Sequence, residues 1–255
     1  MQRLMDTARR TLNGERRRVV SVATLLLLAG AAVRGETPSS AQQALVARLV
    51  PMKEVHTLKA RFLCEKRLAL LESPLESSGQ VWIRRGEEAA DNGVRFSTEK
   101  PYVSELILTD GKVYARSQHE EEWAKSNQSS RPGLTAVMNE LGAWATGDVG
   151  QITDMYSVAA GEAGAAIPAA PGADFFKGTR PDAEIFLLTP TNADLAKAVK
   201  RITLGLDRKT GTLVYLEILT EQEDATRYWF GDVQTNGELP AGIFEPKNAA
   251  AATAP

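Results

Sequence analysis

Side chains able to do acid–base, nucleophilic or metal chemistry are sparse in this chain. Its two histidines, His56 and His119, lie far apart without companions at metal-ligand spacing, so no zinc site is expected. Glu120, Glu121 and Glu122 form a charge run without ligand geometry and read as a solvated loop. The one cysteine, Cys64, falls in a strand over residues 57–65, where Leu58, Ala60, Phe62 and Cys64 alternate with Lys59, Arg61 and Glu65. That pattern puts the thiol on a core face as a small hydrophobe. There is no G-x-S-x-G elbow, no phosphate-cradling glycine loop and no H-E-x-x-H pair. A lipid-modifying hydrolase would need a convergent Ser/His/Asp set that no motif announces. The expectation is a binding protein, not an enzyme, with no catalytic residue, metal or cofactor.

What remains to be positioned is apolar surface, and the pattern of elements says how. Residues 78–123 read as four strands in series, at 79–84, 94–98, 105–109 and 112–117. Pro101 closes the second, since proline removes a ladder donor and restrains its neighbour. Asp110-Gly111 joins the last two as a tight hairpin, glycine accepting the positive φ of the turn. Sequential antiparallel strands lie side by side, so this is a meander. Upstream, Ala41, Leu45 and Leu49 recur at helical spacing, with Ser39 or Ser40 as the N-cap and Pro51 to bend or end the helix. Downstream, Leu134, Val137, Met138 and Leu141 mark one face of a short helix over 132–144 that Pro132 can start. Taken alone, such a stripe packs on a sheet as core.

Residues 161–178 are dense in Gly, Ala and Pro, which predicts a flexible surface insertion. Strands resume at 183–189, 200–207, 213–220 and 226–233, with a turn at 209–211 and a helical turn within 192–198. In the third of these strands Leu213 and Tyr215 alternate against Val214 and Leu216. Residues 249–255 are a small-residue tail, expected to be disordered. About nine to eleven strands and two or three short helices give a mainly β fold with some α: a single curved antiparallel sheet with helices on one face.

Five arginines, from Arg9 to Arg18, precede an apolar run over 19–33, and Val33-Arg34-Gly35 supplies the small residues of a cleavage site. Residues 1–35 therefore read as a secretory signal peptide, an uncleaved anchor being the alternative. Arg16-Arg17-Arg18 gives an incomplete hint of twin-arginine export. No cysteine stands directly after the apolar run, so the chain is not itself expected to be lipid-modified. Cutting after Gly35 leaves 220 residues, enough for one sizeable core, with 23 basic and 30 acidic residues and a net charge of −7. That acidity argues against nucleic acid and against electrostatic docking on anionic lipid.

The order SGQVWIRR, then Val94-Arg95-Phe96, then Pro101 and LILTDGKVYA resembles the LolA-type periplasmic carriers of outer-membrane lipoproteins, over about residues 41–246. The resemblance implies a carrier domain at 36–248, an unclosed β-barrel covered by a lid of short helices, with cargo acyl chains beneath the lid. Burying methylenes is worth about 0.8 kcal/mol each, so such chains need comparable apolar lining to cross water. If Arg85 faces the concave side as the family's arginine does, alternation brings Val81 and Ile83 with it, opposite Val94 and Phe96. The lid would add Leu134, Val137, Met138 and Leu141, and the first helix Leu45 and Leu49. The five donors of Arg85 would tie the lid's backbone carbonyls shut in the empty state. By itself the residue reads as a solvated arginine at a strand end. Many relatives have proline after this arginine; here residues 86–93 intervene. The implied partners are acylated lipoproteins, an inner-membrane releasing transporter and an outer-membrane acceptor, met by a monomer in the periplasm. The alternative is a related β-sheet lipid binder or envelope sensor that does not shuttle.

Overall fold

Alternation of apolar and polar residues, broken by Gly, Pro and Asp turns, produces a long antiparallel ladder. The computed structural model describes residues 39–86, 92–117, 123–125, 154–172, 175–177 and 179–246. Its strands are β1 (Thr57–Arg67), β2 (Leu75–Arg84), β3 (Gly93–Lys100), β4 (Ser104–Thr109), β5 (Lys112–Ser117) and β6 (Ala124–Lys125), then β7 (Tyr156–Ala160), β8 (Ala183–Pro190), β9 (Arg201–Asp207), β10 (Leu213–Leu219) and β11 (Ala225–Thr235). They form one sheet in the order β6-β5-β4-β3-β2-β1-β11-β10-β9-β8-β7. Sequential strands are neighbours except β6 and β7, which stand at opposite ends, and β11 returns to pair with β1. The end strands β6 and β7 are not paired with each other, so the sheet is an unclosed barrel.

Among the described residues, two short α-helices of four residues or more accompany it. Helix α1 (Ser40–Leu49) is capped by Ser39, whose Oγ accepts from the Gln42 N–H at 3.1 Å, and Pro51 opens a 3₁₀ turn over Val50–Glu54 in place of further α-helix. Helix α2 (Ala193–Ala196) is capped by Asn192, which accepts from the N–H groups of Asp194 and Leu195. Residues 1–35, Glu120 to Glu122, the stripe of Leu134, Val137, Met138 and Leu141, and the tail 249–255 lie outside the described residues.

One face of the sheet carries a single cluster running from Val113 on β5 to Phe186 on β8 and Tyr156 on β7. Phe96 of β3 and Leu213 of β10 line one small cavity although β2, β1 and β11 stand between them in the strand order, so the sheet curls and this face is concave. Leu45, Leu49 and Met52 of α1 and its following turn are fully buried in the same cluster.

The outer face is covered in two places. Residues 161–178, expected as a flexible surface insertion, supply Ile167 to a buried cluster with Val214, Tyr215 and Trp229, and Trp229 Nε1 donates to the Pro168 carbonyl at 3.0 Å. Periodicity could not announce this, because one apolar anchor among alanines has no period. The C-terminal stretch supplies Ile243 and Phe244, which pack on Trp82 and Ile107. Gly93 is required there: a Cβ would sit 2.7 Å from the Phe244 ring.

The simple alternation read in β10 fails. A register shift between Leu213 and Tyr215 puts Leu213 and Leu216 in the concave cluster and Val214 and Tyr215 in the outer one.

Near the far end of β1, Glu65 accepts from Arg67 Nε at 2.8 Å and Arg227 Nη1 at 3.1 Å, while Arg227 Nε donates to Glu217 at 2.6 Å. The Arg67 hydrogen bond, aided by the charges of both arginines, holds the Glu65 carboxyl below its ordinary value of 4.5. A depressed carboxyl stabilises the fold above its unfolded pKa, and that contribution is lost as pH falls through the folded value. Glu65→Gln should therefore cost about 1 kcal/mol or less at neutral pH, since Arg67 is largely exposed. Urea unfolding at stepped pH should show the gap to wild type closing below about pH 4.5. A gap unchanged into acid would mean the carboxylate charge contributes nothing.

Candidate functional site

The concave wall is built row by row from strand register. Leu58, Ile83, Val94 and Leu108 lie side by side across β1 to β4, and Ala60, Val81, Phe96 and Leu106 form the next row. Alternation along β2 gives Val81 and Ile83 this face and turns Trp82 and Arg84 outward, where Trp82 joins the outer cluster and Arg84 stacks on Phe244 at 4.9 Å. Beyond Phe96 the wall is aromatic. Phe62 meets Phe96 edge-on with centroids 5.3 Å apart, and Tyr228 lies 6.1 Å from Phe62 and stacks on Phe230 at 6.1 Å. Cys64 joins this group, hydrogen-bonded to Tyr228 and Ser77, and burial pushes its thiol above the ordinary value. It is a buried neutral thiol, as expected of a core cysteine.

Of the residues expected to line the concave side, Val81, Ile83, Val94, Phe96, Leu45 and Leu49 all lie in the one concave cluster. Each is buried. Between Leu58, Ala60, Val81, Ile83, Phe96, Leu213 and Phe230 there remains a cavity of about 20 Å³. That is room for about one water, against roughly 300 Å³ or more for a small-molecule pocket. Among the described residues this part of the apolar wall is filled by the protein's own side chains, and a chain-like ligand enters between them only if a covering element moves.

Helix α1 is such an element: Leu45 and Leu49 pack it on the wall, and polar contacts fasten its C-terminal end and the turn after it. Arg85 follows Val81 and Ile83 on the concave side at the end of β2; its Nη1 donates to the Lys53 carbonyl at 2.7 Å, and its N–H to the His56 carbonyl at 2.8 Å. The side chain thus fastens the turn that follows α1. On the other flank, Arg48 in the last turn of α1 donates from Nε to Glu184 at 3.0 Å and from Nη1 to the Arg208 carbonyl at 2.5 Å. Below it, Gly211 at φ 74° brings the β9–β10 turn so close that a Cβ would lie 2.4 Å from the Arg48 carbonyl. Arg48 and Glu184 were not singled out from sequence. A cation in the last turn of a helix suits the helix dipole, but nothing in the chain pairs it with a carboxylate 136 residues away.

Among the described residues no three His, Cys, Asp or Glu side chains are grouped to hold a metal, and no helix is long and apolar enough to cross a membrane.

No protein-family model matches the chain, and no curated protein matches it. Solved structures similar to it include a DUF1329 family protein from Desulfovibrio piger, at 12% identity over 85% of this chain and 99% of that one, with a TM-score of 0.47. MucB is similar at 17% identity over 82% of this chain and 64% of that one, TM-score 0.46, so the chain spans less than two thirds of the MucB chain. A LolA superfamily protein from Nitrosomonas europaea is similar at 10% identity over 82% of this chain and 99% of that one, TM-score 0.37. At these identities the likeness is one of fold. The chain's own fold is a single antiparallel sheet left unclosed, with short helices among the described residues.

Proposed function

We propose that this chain is a non-enzymatic, periplasmic binder of acylated cargo that takes lipoprotein acyl chains against its concave wall and carries them toward the outer membrane. One observation carries the reading. The wall of Val81, Ile83, Val94 and Phe96 is covered by α1, whose C-terminal end is held across the wall by two sets of polar contacts, Arg85 to Lys53 and Arg48 to Glu184. A cover held only by apolar packing would lose that burial whenever it lifted. Here entering methylenes can replace the burial given up by Leu45 and Leu49, while the broken polar contacts are re-made to water. Export places the chain where such cargo travels; an inner-membrane transporter would load it and an outer-membrane acceptor unload it. Leu134, Val137, Met138 and Leu141 complete the cover in this reading. Mass spectrometry of lipids and lipoproteins co-purified with the protein from its native envelope tests the proposal directly: recovery of neither argues against it.

Arg85 supplies a sharper test. Its side chain is half-exposed and cuts no packed core, so Arg85→Leu should leave the melting midpoint within about 5 °C. Removing its bond to Lys53 removes an advantage of the closed, empty state without removing lining. Uptake of an acyl-chain fluorophore should persist while release to acceptor vesicles slows several-fold. Equal loss of both, with a lowered midpoint, would make Arg85 a structural residue.

A further inference from the structure

Leucines and a tyrosine stand in solvent at one end of the sheet, away from the concave wall. Leu70 is 97% exposed and Leu71 46% in the loop between β1 and β2; Leu75, which opens β2, is 52% exposed, and Tyr102 in the β3–β4 turn is 69% exposed. Register brings these turns to the same end: β2 pairs Ser78 with Lys100, the last residue of β3, so the two turns leave neighbouring strands together. Leu75 to Ser77 extend beyond that pair, so at about 3.3 Å per residue the first hairpin outreaches the second by roughly 10 Å. Its base is anchored, the Ala69 N–H donating to Asp224 at 2.8 Å.

We propose that these two tips insert into the interface of a lipid bilayer, with Leu70 and Leu71 in the acyl boundary and Tyr102 at the headgroups. The 10 Å step matches the roughly 5–10 Å over which interfacial segments bury their apolar groups, and tyrosine is enriched at the headgroup level. A stable protein partner needs about 800 Å² on each side, more than a few side chains on two tips provide. Fully exposed aliphatic residues on a loop are costly in water, whereas a bilayer takes them without demanding shape complementarity.

The charges define which bilayer. Glu72 shares the first tip with Leu70 and Leu71; Lys66, Arg67 and Lys100 at the strand ends stand with Glu76 and Glu99, and the adjacent β10–β11 turn and the start of β9 add Glu221, Glu223 and Asp224 with Lys200 and Arg201. Among the described residues acidic groups at least match the basic ones at this end, so no net cationic field meets anionic headgroups and insertion is hydrophobic, nearly independent of salt, and as strong on zwitterionic as on anionic lipid. This inference stands apart from the carrier reading. A protein with a solid interior could dock in the same way, and a carrier could work without docking.

The test is local, so that the apolar run at 19–33 cannot imitate the result. Leu70→Cys in the full chain is labelled with an environment-sensitive fluorophore, the buried Cys64 being protected; Lys209→Cys, on an exposed turn at the opposite end, is the control. With phosphatidylcholine vesicles the label at 70 should shift to the blue and resist an aqueous quencher at low and high salt, while the label at 209 does neither. In Tyr102→Cys carrying the same label, Leu71→Glu should lower vesicle affinity at least tenfold, the size expected from one buried leucine. No shift at 70, equal shifts at both sites, or binding only to anionic vesicles at low salt would overturn the proposal. A blue shift at 70 that grows with protein concentration without vesicles would also overturn it, by making a second copy the occupant. Acyl-probe uptake by the same variants reads the concave wall separately.

Discussion

Glu105→Leu is expected to destabilise the protein by about 3–5 kcal/mol, one of the largest losses from a single substitution. Arg95 and Glu105 form an ion pair with side chains 0% and 2% exposed, beneath the C-terminal segment. Glu105 also accepts from Arg116 at 2.6 Å; Arg95 donates to the Ile243 carbonyl at 3.2 Å and lies over the Trp82 ring. Removing the carboxylate leaves the Arg95 charge buried without its counter-charge, which costs far more than the intact pair contributes. The double variant Arg95→Met/Glu105→Leu should recover most of the loss, because apolar groups of similar volume need no partner. Urea unfolding with unchanged m-values would measure both. A single variant as stable as wild type would mean that water reaches the pair and that the C-terminal segment does not seal it. The consequence for the site is direct. Arg95 lies between Val94 and Phe96 on β3, so the pair that holds the outer face also holds the strand that presents the concave wall.

Much of that wall could be read from the chain because it depends on one local rule. Alternation on β2 and β3 fixes which side chains share a face, and the Asp110-Gly111 turn, with φ of 50° and 64°, fixes the register of β4 against β5. Capping chemistry located α1 to within a residue. What escaped depends on contacts between distant segments. Alternation with Val94 and Phe96 turns Arg95 away from the concave face, but its burial depends on residues 239–245 being laid over it. Strand β7 is only YSVAA, too short and too small to stand out, yet Tyr156 and Val158 close the far side of the concave cluster. In β10 the extra residue of a bulge inverts the faces, and no periodicity in LVYL records it. The role of Arg85 was tied to a helical cover by resemblance, but the carbonyl it meets belongs to the turn after α1, a turn that Pro51 makes.

Phe96→Ala is expected to lower the melting midpoint of the empty protein by about 6–20 °C, and an acyl ligand should restore part of that loss. The first half follows from packing. Phe96 is buried against Phe62 beside a cavity of about 20 Å³, so truncation removes an aromatic contact and enlarges a void, a loss of about 3–5 kcal/mol in a domain of this size. The second half separates a carrier wall from an ordinary core. If acyl chains occupy this face, a ligand binding only the folded state stabilises it by about 2.7 kcal/mol at a hundred times its dissociation constant. The larger void should then accept the chain at least as well, so the restoration in the variant should equal or exceed that in wild type. If the wall is solid core, palmitate below its aggregation limit raises neither midpoint, and the variant melts early with or without it. Melting curves of wild type and Phe96→Ala with and without palmitate distinguish these outcomes, and Leu206→Ala sharpens them. Leu206 is fully buried in the same cluster on β9 but is not among the residues lining the cavity. Its loss should be rescued less by the ligand than that of Phe96. Equal rescue at both positions would point to general stabilisation of the fold by the fatty acid, and no rescue at either would mean that the wall holds only its own side chains.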